Sequence, residues 1–373
     1  MIELKLLLAC GGSGGHISPA IAMAEKNTSE GGEVLFVGPK KDLGIEFLQN
    51  RRYNYKAVST APLPRKISFN VLASFLKNFK AFFQSRKIMK EFEPDVVLGT
   101  GSYASGAPVL AASWLDIPVV IHEQNSYPGL TNRLLASRVD KIAISYPQTE
   151  AHFQKTVQDK IYYTGNPIRS EIKELDDKEA RKLFDIPKES FVVMVMGGSQ
   201  GAKNVNDKML YAYNKILEQE NIFIFHITGK KHYEEVLKKA ENILTKNHRE
   251  KITFFAFYEE IEYIFSASDL FVGRAGATTL AEITVCGLPA ILIPYPHAVS
   301  NHQNYNAEEL ADAGAAKIIR EKKMTSDRIA REILKIFASN RLSSMSQASL
   351  NLGKPCATEN LMTILENLAE GAK

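Results

Sequence analysis

The feature that most constrains this chain is a turn it makes twice, half its length apart. An apolar run breaks into glycines and then into a helix, first between Leu6 and His16 and again between Phe191 and Ala202. In the first copy Leu4 to Ala9 reads as a strand buried on both faces. Gly11, Gly12, Gly14 and Gly15 then let the backbone turn tightly and approach another molecule closely. Ser18 and Pro19 fit the N-cap and first position of the following helix. In the second copy Val192 to Met196 is the strand, Gly197, Gly198 and Gly201 flank Ser199 and Gln200, and a helix is expected from about Ala202. Each junction aims backbone N–H groups at one spot, which suits an anion. One glycine turn can be a plain connection; two equivalent copies point to a pair of nucleotide-type α/β domains.

Neither copy is a P-loop, because no Gly-Lys-Ser/Thr follows, and the glycine spacing misses the dinucleotide pattern. A third loop, Gly99 to Ala104, does fit G-x-G-x-x-A after the strand Val96 to Leu98, which alone is a weak signal. Further strand-like runs are Val34 to Val37, Val119 to Ile121, Lys141 to Ile144, Ile222 to Ile227, Ile252 to Phe255, Leu270 to Val272 and Ala290 to Ile293. Their alternation with helical stretches predicts doubly wound parallel sheets.

A length of 373 residues suits about two domains. The boundary is expected near Pro167, after Gly165-Asn166, giving domains 1–167 and 168–344. A C-terminal helix over about 345–373, clearest from Glu359 to Leu368, is expected to pack back on the first. Ligands in such sheets bind at the carboxyl ends of the strands, so a crevice between the domains is the expected site.

A net charge of +4 is too small to argue for nucleic acid. The cysteines, Cys10, Cys286 and Cys356, show no C-x-x-C spacing, which favours a reducing compartment without disulfides or structural zinc. Leu7 to Gly11 superficially resembles a lipoprotein cleavage box, but the apolar stretch is short and is needed as the first strand, so a cytoplasmic chain is expected.

Four polar residues, His122-Glu123-Gln124-Asn125, leave the strand ending at Ile121, where α/β sheets place ligand contacts; a cluster that satisfies loop backbone is the alternative. After Leu270 to Val272, the stretch Gly273 to Glu282 opens a helix whose N-terminus can hold phosphate near Arg274, while Glu282 offers acceptors for ribose hydroxyls. Mutual pairing of Arg274 and Glu282 is the competing reading. Asn301-His302-Gln303-Asn304, on a loop after a strand, suits sugar hydroxyls or is a polar surface loop. His16, just after the first glycine turn, is the best-placed general base. No Asp-x-Asp pair and no H-x-x-x-H occurs, so neither a held catalytic metal nor another cofactor is expected.

From Arg65 to Lys90 there are seven basic residues and no Asp or Glu, with Phe69, Leu72, Phe75, Leu76, Phe79, Phe82 and Phe83 at helical spacing. Such a helix suits an anionic membrane surface, or forms an ordinary core helix with a basic rim. Trp114 can add to either.

Together these stretches resemble the MurG family, the bacterial UDP-N-acetylglucosamine:undecaprenyl-pyrophosphoryl-N-acetylmuramoyl-pentapeptide N-acetylglucosaminyltransferases, from the first glycine turn to Ala316. The resemblance implies a two-domain GT-B glycosyltransferase fold, with UDP-N-acetylglucosamine held mostly by the second domain and lipid I by the first. It groups His16, Tyr103 and Glu123 as catalytic and puts Gly106, His122 and Asn132 on the acceptor side. For the donor it implies Ser13, Gly14, Gly15, Asn125, Arg169, Ser199, Gln200, Tyr258 through its backbone, Arg274, Ala277, Thr278, Thr279, Leu280, Ala281, Glu282 and Gln303. Asn206 matches a polar position in the helix after the third glycine loop. Departures are Ser13 in place of threonine, Ser102 and Ala104 in the second loop, Gly273 in place of serine, and Ser300 where an acidic residue often stands.

The expected activity is inverting transfer of N-acetylglucosamine to the 4-hydroxyl of lipid I, making lipid II for peptidoglycan at the cytoplasmic face of the plasma membrane. A diacylglycerol-type lipid glycosyltransferase and a noncatalytic nucleotide-sugar-binding protein are the alternatives.

Overall fold

The computed structural model describes residues 3–12, 14–40, 48, 51–62, 69–173, 177–198 and 200–372. The chain divides into two compact units: Met1–Arg169 with Lys354–Lys373, and Ser170–Gly353.

The first unit contains β1 (Lys5–Ala9), α1 (Gly14–Ser29), β2 (Glu33–Pro39), β3 (Asn54–Val58), α2 (Phe69–Phe92), β4 (Val96–Gly99), α3 (Ser102–Trp114), β5 (Val119–Glu123), α4 (Leu130–Leu135), β6 (Lys141–Ile144) and β7 (Ile161–Tyr163). Its strands form one parallel sheet in the order β3-β2-β1-β4-β5-β6-β7. Successive side chains of a strand point to opposite faces. Leu7 and Ala9 therefore join Val97 and Ile121 on one side, while Leu6 and Leu8 join Val96 and Leu98 on the other. This double burial is why Leu6 to Ala9 is a continuous apolar run.

The second unit contains α5 (Asp177–Leu183), β8 (Phe191–Met196), α6 (Lys203–Ile216), β9 (Ile222–Ile227), α7 (Tyr233–Ile243), α8 (Lys246–Glu250), β10 (Ile252–Phe255), α9 (Ile261–Ala267), β11 (Leu270–Gly273), α10 (Ala277–Val285), β12 (Ala290–Leu292), α11 (His302–Asp312), β13 (Ala316–Ile318), α12 (Ser326–Phe337) and α13 (Arg341–Leu352). Its parallel sheet runs β10-β9-β8-β11-β12-β13. The strand order reverses between β1 and β4 in one sheet and between β8 and β11 in the other. At such switch points the loops diverge and leave room for a ligand.

A last helix, α14 (Ala357–Gly371), belongs to the first unit, where Leu361 and Leu365 pack with Leu6 and Leu8. The expected single helix over 345–373 is thus corrected to two. Gly353 ends α13, its N–H bonding the Ser349 and Leu350 carbonyls, and Pro355 follows, so the first helix cannot continue. Ser349 Oγ donates to the Leu288 carbonyl at 2.9 Å, anchoring α13 in the second unit, whereas Thr358 Oγ1 donates to the Ile168 carbonyl at 3.0 Å, anchoring α14 in the first.

The start of α1 is also corrected. It begins at Gly14, and Pro19 lies inside it rather than at its first position. A tertiary contact holds the extra turn: Thr100 Oγ1 donates to the His16 carbonyl at 2.7 Å.

Candidate functional site

In the first unit the glycine turn after β1 and the turn after β4 are fastened to each other. Ser102 has a left-handed φ of 64°, which costs a residue other than glycine roughly 1–3 kcal/mol. Its hydroxyl donates to the Gly11 carbonyl at 2.7 Å and accepts from the Ala104 N–H at 3.1 Å. The Tyr103 ring lies beside Gly12. Gly101 has φ +84°, and a Cβ there would stand 3.3 Å from Asn132 Nδ2 and 3.4 Å from His16 Nδ1, so the backbone runs directly against the site.

His16 sits in the first turn of α1, half-buried. Its Nδ1 is 2.9 Å from the Thr100 carbonyl and 3.1 Å from Gln124 Oε1. A carbonyl only accepts, so Nδ1 carries the proton and Nε2 the lone pair. His122 is fully buried, and desolvation pushes its pKa down to about 4, with His16 adding to the fall and the Gly165 carbonyl opposing it.

Glu123, expected to be catalytic, has its carboxylate turned onto its own loop. Its Oε1 accepts from the Asn125 backbone and side-chain N–H at 3.0 Å each, and its Oε2 from Gly129 N–H at 2.9 Å and Asn132 Nδ2 at 2.8 Å. Those donors fill the acceptor sites of a carboxylate. Glu123 shapes the loop after β5, the alternative left open by the sequence.

His122 and Asn132, expected on the acceptor side, are both buried, behind the loop after β5. Asn132 Nδ2 also donates to the His122 carbonyl at 3.1 Å. Gly106, expected on the acceptor side, lies on α3 opposite Thr131 of α4. Arg169 is the final residue of the first unit's main segment. Ser13 lies outside the described residues.

In the second unit the glycine turn is held by a close approach. Gly201 has φ +75°, and a Cβ there would fall 2.0 Å from the Thr228 carbonyl. Asn206 fixes that neighbour, donating from Nδ2 to the same carbonyl at 2.9 Å while its Oδ1 lies 3.1 Å from His226 Nε2. His226, also bonded to the Tyr213 hydroxyl at 2.9 Å, is pushed to about 3 by burial. Gln200 is exposed at the turn; Ser199 lies outside the described residues.

The loop after β11 leads into α10, whose N-cap residue, Gly276, has no side chain with which to cap it. Its first turn, Ala277, Thr278 and Thr279, therefore offers backbone N–H groups suited to an anion. Leu280, packed in the core, and Ala281 carry the helix on to Glu282, which is 9% exposed. Beside it, burial and then the Glu282 charge push the Cys286 thiol up to about 12, so it stays protonated.

Arg274, expected at the donor phosphate, is a packed cation, 8% exposed. Its Nη1 donates to Glu321 Oε2 at 2.6 Å, to the Ile293 carbonyl at 3.0 Å and to the Pro294 carbonyl at 3.3 Å, and the guanidinium covers the Tyr295 ring. Glu321 Oε1 in turn accepts from Asn204 Nδ2 at 2.7 Å. The Tyr258 ring packs on Phe184 and Phe255, which leaves its backbone for any ligand contact. Gln303 turns its Oε1 to the Tyr295 N–H at 2.9 Å, behind a left-handed pair, Ser300 and Asn301.

Sequence reasoning assigned no role to Thr100 or Glu321 and none to Gln124 apart from its tetrad. Thr100 lay inside a glycine motif and Gln124 inside the polar tetrad, where the face-to-face alternation at a strand end could have singled it out. Nothing local marks Glu321, which reaches Arg274 from a turn after β13.

Comparison with known proteins follows the same two-part division. Residues 6–144 match the N-terminal domain and residues 192–361 the C-terminal domain of glycosyltransferase family 28. A UDP-N-acetylglucosamine–N-acetylmuramyl-(pentapeptide) pyrophosphoryl-undecaprenol N-acetylglucosamine transferase of Halothermothrix orenii is 40% identical over 99% of this chain and 100% of its own. The enzyme of that name in Clostridioides difficile is 38% identical over 95% of this chain and 87% of its own. Among solved structures, Acinetobacter baumannii MurG superimposes with a TM-score of 0.74 at 27% identity, covering 97% of this chain and 99% of that one. A UDP-GlcNAc 2-epimerase from Neisseria meningitidis, 16% identical with a TM-score of 0.69 over 98% of this chain and 100% of that one, shares the fold.

Proposed function

We propose, for a chain that belongs to the MurG family of glycosyltransferases, a mechanism built on His16. The protein has the GT-B fold and transfers N-acetylglucosamine from UDP-N-acetylglucosamine to lipid I, giving lipid II in peptidoglycan synthesis.

The observation that carries the mechanism is His16 itself, held through Nδ1 with its Nε2 lone pair available. Nε2 takes the proton of the acceptor 4-hydroxyl. The oxygen attacks C1 of the donor sugar, the bond from C1 to the UDP oxygen breaks, and UDP departs with one more negative charge, inverting the anomeric centre. Tyr103, beside the glycine turn, and the amides of Gly14 and Gly15 serve the reacting end. On the donor side the N–H groups of the first turn of α10 and the loop at Gln200 meet diphosphate, Glu282 meets the ribose, the Tyr258 backbone meets uracil, and Gln303 meets the sugar through its amide N–H. Asn125 and Arg169 complete the donor contacts by the family motif.

Transfer assays separate this reading from its rivals. UDP release is expected with a lipid I analogue and not with diacylglycerol or water. Release with diacylglycerol would convert the protein to a different lipid glycosyltransferase, and release with none would leave a binding protein.

Among the described residues no helix is long and apolar enough to cross a membrane. We propose peripheral attachment to an anionic, cytoplasm-facing membrane surface through α2. Its inward face is lined by small residues and Met89 (Ser74, Ala81, Ser85), while Leu72, Phe75, Leu76, Phe79 and Phe83 face outward, as does Trp114 at 66% exposure. Lys77, Lys80, Lys87 and Lys90 are exposed on the same helix. An apolar face edged by lysines suits acyl chains beside lipid phosphate. Residues 65–68 of the basic segment lie outside the described residues. Phe75→Ser with Phe79→Ser should release the protein from anionic vesicles in sedimentation; undiminished binding would move the contact elsewhere.

A further inference from the structure

We infer that Gln124 is a positioning residue for His16: its side-chain amide, locked by His122 and the Thr100 carbonyl, presents Oε1 to His16 Nδ1 and holds the ring with Nε2 turned to the acceptor. The inference rests on the reading of His16 as the general base.

The amide can be assigned end by end from its neighbours. One end lies 2.9 Å from the Thr100 carbonyl, 3.2 Å from the His122 carbonyl and 3.0 Å from His122 Nδ1. Carbonyl oxygens only accept, so this end is the NH2. The far side of the His122 ring agrees. Its Nε2 is 3.0 Å from the Gly165 carbonyl, so Nε2 carries the proton and Nδ1 accepts from Gln124. Burial keeps His122 neutral, so its tautomer, and with it the amide, stays fixed at ordinary pH. The remaining end, Oε1, then faces His16 Nδ1 at 3.1 Å.

An acceptor placed behind an imidazole orients the ring and stabilises the imidazolium once the other nitrogen has taken a proton. A carboxylate would do this with a full charge; an amide oxygen does it with a partial one and favours resting protonation less. Glu123, the neighbouring carboxylate, is unsuited to that place, because its oxygens are turned onto Asn125, Gly129 and Asn132. Gln124 is buried to 1% exposure and so acts through His16 rather than on substrate. The Thr100 carbonyl also accepts from His16 Nδ1, so loss of Gln124 leaves the ring held on one side only.

The test uses full-length protein labelled with 15N-histidine, the His16 signals being assigned by their loss in His16→Ala. The wild-type imidazole shifts should show the tautomer protonated at Nδ1. In Gln124→Leu they should move towards a mixture of both tautomers, with kcat falling roughly tenfold to a hundredfold while KM for UDP-N-acetylglucosamine stays nearly constant. Gln124→Glu, buried against the same acceptors, should bind a proton, keep an oxygen towards His16 and recover most of kcat. An unchanged His16 spectrum in Gln124→Leu, or equal losses of kcat in both variants, would overturn the role. Should Gln124→Leu not fold, the wild-type spectrum still decides, since protonation at Nε2 contradicts the assignment. Undiminished turnover in His16→Ala would instead remove the base itself, and the spectrum would then report Gln124 separately.

Discussion

The two units wind their sheets outward from a central strand in the same way, yet they furnish the strand ends by different means. In the first, the groups behind the glycine turns are side chains bonded to one another: His16, Gln124 and His122 in one line, Glu123 and Asn132 in another. In the second, bonded side chains stand further back, Asn206 with His226 behind the loop after β8 and Arg274 with Glu321 beside the loop after β11, and the opening turn of α10 presents backbone. The difference matches the chemistry proposed for each. Moving a proton needs a titratable ring in one tautomer and one orientation, which takes a network of oriented partners. Holding a diphosphate needs several N–H dipoles converging on one spot, which a helix start supplies without any particular side chain.

The sharpest way to break this comparison is His16→Ala. It should lower turnover by about 10²–10⁴-fold and leave UDP affinity, measured by calorimetry, as it was. Comparable losses in both measurements would mean that the two units do not divide the labour.

Acid titration probes the frameworks next. The ordinary histidine value is 6.5, and burial depresses His122 to about 4 and His226 to about 3. Below 6.5 the unfolded chain takes up protons that the folded units refuse, so stability held above that pH drains away as pH falls towards each folded value. The loss should be on the order of 3 kcal/mol for His122 and continue to lower pH for His226. Chemical denaturation followed by hydrogen exchange in each unit would resolve the two; a flat profile from pH 6.5 to 4 in the first unit would contradict a neutral His122.

Smallest is Glu282→Ala, expected to weaken UDP binding by about 2 kcal/mol, some thirtyfold, while leaving the His16 15N signals unmoved. Unaltered UDP affinity would take Glu282 out of the ribose contact.

The central strands were legible because double burial writes an unbroken apolar run, as at Leu6 to Ala9 and Phe191 to Met196. The strands that went unread, β3, β7 and β13, all lie at sheet edges, where exposure on one side dilutes the pattern: Asn54, Lys56 and Ala57 are exposed in β3. The glycine turns were legible as motifs. The direction of a side chain was not. Neither the turn of Glu123 into its own loop nor the capture of Arg274 by Glu321, from a distant turn, leaves a mark in local spacing. Where side chains from separate elements settle a polar group, only the folded chain records which partner it found.

The second unit is a single uninterrupted stretch, whereas the first draws Leu361, Leu365 and Ala369 into its core from beyond it. During translation the second unit can complete its packing as soon as Gly353 clears the ribosome, but the first, although begun earlier, must wait for those late residues. The nascent chain therefore carries its oldest domain with one flank of its interior unsealed for most of synthesis, a window in which chaperones have the most to grip.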